Sequence, residues 1–184
     1  MNFDSINPAT GVKLTTHAGM SDEKAAVVAE RAALAQESWR ATPFEERTRL
    51  MRRAGEVLRD RAEEFARLMA AEMGKPLAGG VAEAEKCAWV CDYYADNAAA
   101  QLAPEYIKTD AKKSFVCFQP LGVVLAIMPW NYPFWQVFRF AAPTLMASNA
   151  GLLKHAPNVV GCALAIEGVF KEAGFPQNLF RTLV

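Results

Sequence analysis

From residue 123 to residue 184, short apolar runs of strand length alternate with stretches of helical periodicity, an order that few folds accommodate. Residues 123–127 read as a strand, and residues 133–147 as a helix. Residues 151–154 form a second short strand. Asn158 is positioned to cap a helix that ends at Gly174, with Pro176 beyond, and residues 179–184 look like a third strand. A β-α-β-α-β series of this kind is half of a doubly wound parallel sheet. Pro120-Leu-Gly122 separates it from an earlier strand over residues 114–118.

The residues before about 101 are of another texture, helical after an extended leader. Ser21 can cap a helix whose first turn carries Asp22 and Glu23, where the helix dipole favours acids. Thr42, Pro43 and Glu45 have the spacing of a capping box with proline at the first helical position. Asp60 and Glu63 repeat that spacing, Gly74 and Pro76 stop the helix, and a further helix is expected over residues 81–101. The fold class is therefore α/β. A leader and helices span residues 1–110, a linking strand lies in 111–122, and the half-sheet spans 123–184.

Composition excludes several functions. Lys plus Arg and Asp plus Glu number 20 each, so net charge gives no reason to bind nucleic acid or an anionic membrane. The N-terminus lacks a basic-then-apolar signal pattern, and the apolar run at 121–130 is too short to span a bilayer. Four cysteines in 184 residues are no disulfide framework. A cytoplasmic protein with reduced thiols is expected. Cys87 and Cys91 share a helix face but lack partners for a metal site, and all four cysteines, Cys117 and Cys162 included, read as small buried hydrophobes. No strand is followed by G-x-G-x-x-G, and there is no P-loop.

Met128-Pro-Trp-Asn-Tyr-Pro-Phe-Trp135, placed directly after an apolar strand, resembles the signature segment of the aldehyde dehydrogenase superfamily. Gly151-Leu-Leu-Lys-His-Ala-Pro157 resembles that family's second cofactor strand, and Ile6-Asn-Pro-Ala-Thr-Gly11 its leader. The stretch from Thr42-Pro43 to Gly74-Lys75-Pro76 resembles its paired helices, so the match covers essentially the whole chain. Lys-His-Ala-Pro is similar to the bacterial succinate-semialdehyde dehydrogenases. Family members are more than twice this length. The resemblance therefore implies an N-terminal part without the Gly-Ser segment, the Glu base and the Cys nucleophile, inactive alone and prone to self-associate through an open strand edge at residues 179–184.

The implied reaction takes an aldehyde to an acid: a thiolate adds, hydride leaves to NAD or NADP, and water hydrolyses the thioester. By its place in the motif, Asn131 would donate a side-chain N–H to the oxygen that gathers negative charge. Ile127, Pro129, Trp130 and Asn131 would meet the cofactor at the carboxyl end of one strand, and Lys154, His155, Ala156 and Pro157 at the end of the next. Trp135 and Arg139 would line the substrate site. Asn131, Trp135 and Arg139 fall at i, i+4 and i+8, so a helix would set them near one face, with Arg139 free to take a substrate carboxylate bidentately. Many NAD-preferring members carry Glu where this chain has Pro157. Its absence removes a repulsion against a 2′-phosphate, Lys154 remains to attract one, and His155 could add a donor. The implied partners are a small aldehyde and further copies of the chain. A binding module without chemistry, a truncated remnant, and a dehydrogenase for another aldehyde with a structural Arg139 are the alternatives.

Overall fold

The computed structural model describes residues 2–184. An antiparallel hairpin of β1 (Asn2–Ile6) and β2 (Lys13–Ala18) comes first. Four helices follow: α1 (Asp22–Arg40), α2 (Phe44–Asp60), α3 (Ala62–Met73) and α4 (Leu77–Gln101). A two-stranded ribbon of β3 (Glu105–Tyr106) and β4 (Phe115–Val116) leads into β5 (Val123–Met128), α5 (Trp135–Met146), β6 (Ala150–His155), α6 (Val160–Glu172) and β7 (Phe180–Leu183). The last three strands form a parallel sheet in the order β5-β6-β7, the half of a Rossmann-type α/β fold that the alternation of residues predicts.

Consecutive residues Ala150, Gly151, Leu152 and Leu153 of β6 are all buried, so both faces of the sheet are covered there. A chain of buried aromatic rings joins the helical half to the sheet half. Phe65 of α3 lies 4.9 Å from Phe134, Phe138 lies 5.2 Å from Phe170, and Phe175 lies 5.6 Å from Trp39 of α1. The exposed apolar surface of the sheet is on β5, where Leu125 is 53% and Ile127 75% exposed. β7, the strand expected to present an open edge, alternates buried and half-buried residues, and Met20 N–H donates to the Val184 carbonyl.

Several expected caps are replaced. Ser21 does cap α1, its hydroxyl accepting from Lys24 N–H. Thr42 and Glu45 form no capping box, because α2 starts after Pro43 and the Thr42 carbonyl instead accepts from Arg47 Nε. Asp60 forms none either, since it is the last residue of α2. Asn158 does not cap α6. The buried Glu72 carboxylate does so from α3, accepting from Gly161 and Cys162 N–H at 2.9 and 2.8 Å while holding Ser5 Oγ at 2.8 Å. A negative charge there also complements the helix dipole. At the other end of α5, Trp39 Nε1 donates to the Leu145 carbonyl, Gln36 to Ser148, and buried Arg47 to both the Met146 carbonyl and Ser148 Oγ.

Helix α4 begins at Leu77 rather than residue 81, and so contains the Gly79-Gly80 pair. The reason is contact. A Cβ on Gly80 would fall 2.7 Å from Ala66 Cα, so this glycine lets α4 lie against α3. Gly79 faces only the stem of Lys75, at 3.8 Å. Adjacent glycines should therefore respond oppositely. Gly80→Ala is expected to destabilise by about 1–3 kcal/mol through overpacking, and Gly79→Ala to stabilise by about 0.5 kcal/mol through helix propensity. Urea unfolding of the two variants beside the parent chain gives both signs.

Candidate functional site

Parallel pairing of β5 and β6 sets Ile127 beside Lys154 and Met128 beside His155. The carboxyl ends of the two strands thus bring 127–131 and 154–157 together, at the edge where open α/β sheets bind ligands. Ile127 and Trp130 are 75% and 50% exposed there, and Asn131 is exposed between them and α5. Helix α5 starts only at Trp135, so the expectation that Asn131 shares a helix face with Trp135 and Arg139 is corrected: Asn131 sits in the bend before the helix. Trp135 and Arg139 do follow one another at i and i+4 on α5, the first half-buried and the second exposed.

The bend is held from several sides. Glu83 of α4, 4% exposed, accepts from Phe134 and Trp135 N–H through Oε1, both at 2.9 Å, which supplies α5 with its N-terminal acceptor. Lys75 forms an ion pair with Glu83 Oε2, donates to the Asn131 carbonyl at 3.3 Å, and places its ammonium 3.8 Å from the centre of the Tyr132 ring. Lys86 of α4 lies 4.0 Å over the Trp135 ring. These contacts were not legible in the sequence. Glu83 lies 51 residues from Phe134, and no local spacing marks so distant a pairing.

His155 is 4% exposed, and its ring is committed to the protein. Its Nδ1 accepts from Ala156 N–H at 2.9 Å, which leaves the proton on Nε2 to donate to the Pro133 carbonyl at 2.9 Å. The expectation that His155 lends a donor to a phosphate is therefore corrected: the ring braces the bend. Burial pushes its pKa down, against the Pro133 bond that favours the proton. Lys154 Nζ donates to the His155 carbonyl at 2.8 Å and stands 5.7 Å from the Phe3 ring. The cleft between Phe3, Lys154, Pro157 and Leu183 encloses about 10 Å³, the space of about one water.

A cleft of about 370 Å³ around Phe175, Asn178 and Arg181, at the start of β7, contains none of the expected site residues. Burial raises the thiol pKa of Cys87, Cys91 and Cys162, as expected of buried hydrophobes, whereas Cys117 is exposed beside the β3–β4 ribbon and departs from that expectation. Among the described residues no cluster of His, Cys, Asp and Glu could hold a metal, and no helix is long and apolar enough to cross a membrane.

A parallel half-sheet with helices packed on it and an exposed bend at its carboxyl edge defines a Rossmann-type α/β protein. The family model described as the Aldehyde dehydrogenase family matches residues 1–184, and the chain belongs to that family. It is 50% identical over its whole length to a probable succinate-semialdehyde dehydrogenase [NADP(+)] of Synechocystis sp., of which it covers 40%. It is 45% identical, over 96% of its length, to the succinate semialdehyde dehydrogenase [NAD(P)+] Sad of Escherichia coli, of which it covers 38%. Among solved structures, succinic semialdehyde dehydrogenase from Streptococcus pyogenes in complex with NADP+ matches 98% of this chain at a TM-score of 0.94 and 34% identity. The chain spans about 40% of the length of that protein and of the Synechocystis relative.

The buried His155 yields a pH dependence. Its folded pKa lies below the ordinary 6.5, so the unfolded chain binds the proton first and the native state gains nothing from acidification. The stability that neutral His155 contributes is complete above about pH 6.5 and is lost as pH falls from there through the lower folded value. Urea midpoints measured from pH 7.5 to pH 5 should decline for the parent chain and decline less steeply for His155→Gln.

Proposed function

We propose that this chain forms the first half of the cofactor site, and carries the oxyanion donor, of an NAD(P)-dependent enzyme that oxidises an aldehyde to a carboxylic acid. The observation that carries the reading is the meeting of 127–131 with 154–157 at one sheet edge, beside Trp135 and Arg139 of α5. In this reading a nicotinamide cofactor, when bound at this edge, would supply the hydride acceptor. Ile127, Pro129, Trp130 and the backbone of Ala156 and Pro157 bound the cofactor, and Lys154 exchanges its bond to the His155 carbonyl for a ribose or phosphate oxygen. Asn131 directs its exposed amide at the aldehyde oxygen as negative charge gathers there. None of the four cysteines is assigned as nucleophile, since three are buried and Cys117 follows directly on β4 of the ribbon.

Succinate semialdehyde is the proposed substrate. The exposed Arg139 stands one helical turn beyond Trp135, where it can take the distal carboxylate, and relatives at 45–50% identity bear that substrate's name. The same reading puts 1–110 and 123–184 in one cofactor-binding body. It puts 111–122 in a sheet completed by another subunit, with Phe115, Val116 and Phe118 exposed on that side.

In the full-length protein, Arg139→Ala should raise KM for succinate semialdehyde by about 10- to 100-fold, the value of a lost charge-assisted hydrogen-bond pair. KM for an uncharged aldehyde of similar length should change far less, and equal losses would make Arg139 structural. NADP should serve at least as well as NAD, because no carboxylate stands at residue 157 to repel the 2′-phosphate. Pro157→Glu should lower kcat/KM for NADP and spare NAD. A parent that strongly prefers NAD, with no further loss in the variant, would show that this position does not govern the choice.

A further inference from the structure

We infer that the buried Lys75–Glu83 ion pair is a positioning device that sets the aim of the Asn131 amide, and so acts on the reaction through Asn131 rather than on the substrate directly. The inference rests on the reading of Asn131 as oxyanion donor.

The pair is sealed: the Lys75 side chain is 10% exposed and that of Glu83 2%. Burying two charges is a poor route to stability, since an apolar pair of the same volume does as well or better. What it supplies here is direction. The Lys75 ammonium stands against Glu83 Oε2 as an ion pair, donates to the Asn131 carbonyl and lies over the face of Tyr132. The second carboxylate oxygen of Glu83 takes Phe134 and Trp135 N–H. One ion pair therefore grips both ends of the segment from Asn131 to Trp135. Within that segment Asn131 is exposed, and among the described residues no hydrogen bond holds its side-chain amide.

The anchor is itself immobilised. Gly74 closes α3 in the left-handed region, at φ 74°, and Pro76 opens α4 at φ −56°, so the backbone of Lys75 is locked between two helix ends. Glu83 lies on α4, which the missing Cβ of Gly80 lets settle against α3. A donor must be aimed where charge will develop, and a misplacement of about 1 Å from outside the chemistry can cost about 10²-fold in rate.

The test is a double-mutant cycle in the full-length protein, with succinate semialdehyde and NADP, read as kcat and KM separately. Lys75→Met should lower kcat by up to about 10²-fold with KM for both ligands little changed, and Lys75→Arg should recover most of the loss. In an Asn131→Ala background, Lys75→Met should cost no more than about twofold, the scatter expected of uncoupled sites. Glu83→Gln keeps an acceptor for Phe134 and Trp135 N–H and removes only the charge facing Lys75. It should reproduce the same pattern, and it carries the test if Lys75→Met fails to fold. An undiminished kcat in Glu83→Gln, or a full-sized loss that persists without the Asn131 amide, overturns the inference while leaving Asn131 in its role. An unchanged kcat in Asn131→Ala alone overturns the oxyanion reading itself.

Discussion

The structure turns on helix α5, whose two ends are satisfied by residues of the helical half. An isolated helix leaves its first N–H and last C=O groups without partners, and buried groups of that kind cost about 1–3 kcal/mol each when left unpaired. Glu83 takes the N–H of Phe134 and Trp135, while Trp39 and Arg47 reach the carbonyls of Leu145 and Met146. Glu72 repeats the arrangement at the start of α6. The helical half is therefore more than a cover for the sheet. It supplies partners for both ends of α5 and for the start of α6, and through α5 it fixes the bend in which Asn131 sits.

The charge distribution of the sheet edge follows from the same economy of partners. His155 is held neutral by burial and spends both nitrogens on the backbone, at Ala156 and Pro133. Lys154, unlike Lys75, has no carboxylate partner among the described residues and is bonded to the carbonyl of its neighbour, a contact a stronger anion can displace. Pro157 brings no carboxylate close to it. The shape of the edge is guarded by a ring whose pKa burial pushes down.

The three parallel strands and two crossover helices were legible in the sequence to within one or two residues at most ends, because period and punctuation are local properties. Ser21 and Gly74 were legible for the same reason, as each acts within one helical turn. The Pro-Trp-Asn-Tyr-Pro and Lys-His-Ala-Pro segments pointed to the family, and the family match confirms it. The capping boxes at Thr42 and Asp60 were locally reasonable and did not form, since α2 and α3 start without a side-chain cap, and the cap at Asn158 gave way to the distant Glu72.

The sequence by itself determined the order of elements, the parallel half-sheet and the two segments that meet at its carboxyl edge. Tertiary structure alone decided what holds that edge in shape: that Glu83 and Lys75 grip the bend, that His155 braces Pro133, and that Gly80 admits α4 to the place from which Glu83 can reach. The physical reason is range. Hydrophobic period, turn chemistry and capping signals report on neighbours within a few residues. A carboxylate that serves amides 51 to 90 residues away becomes their partner only after the helices between have packed.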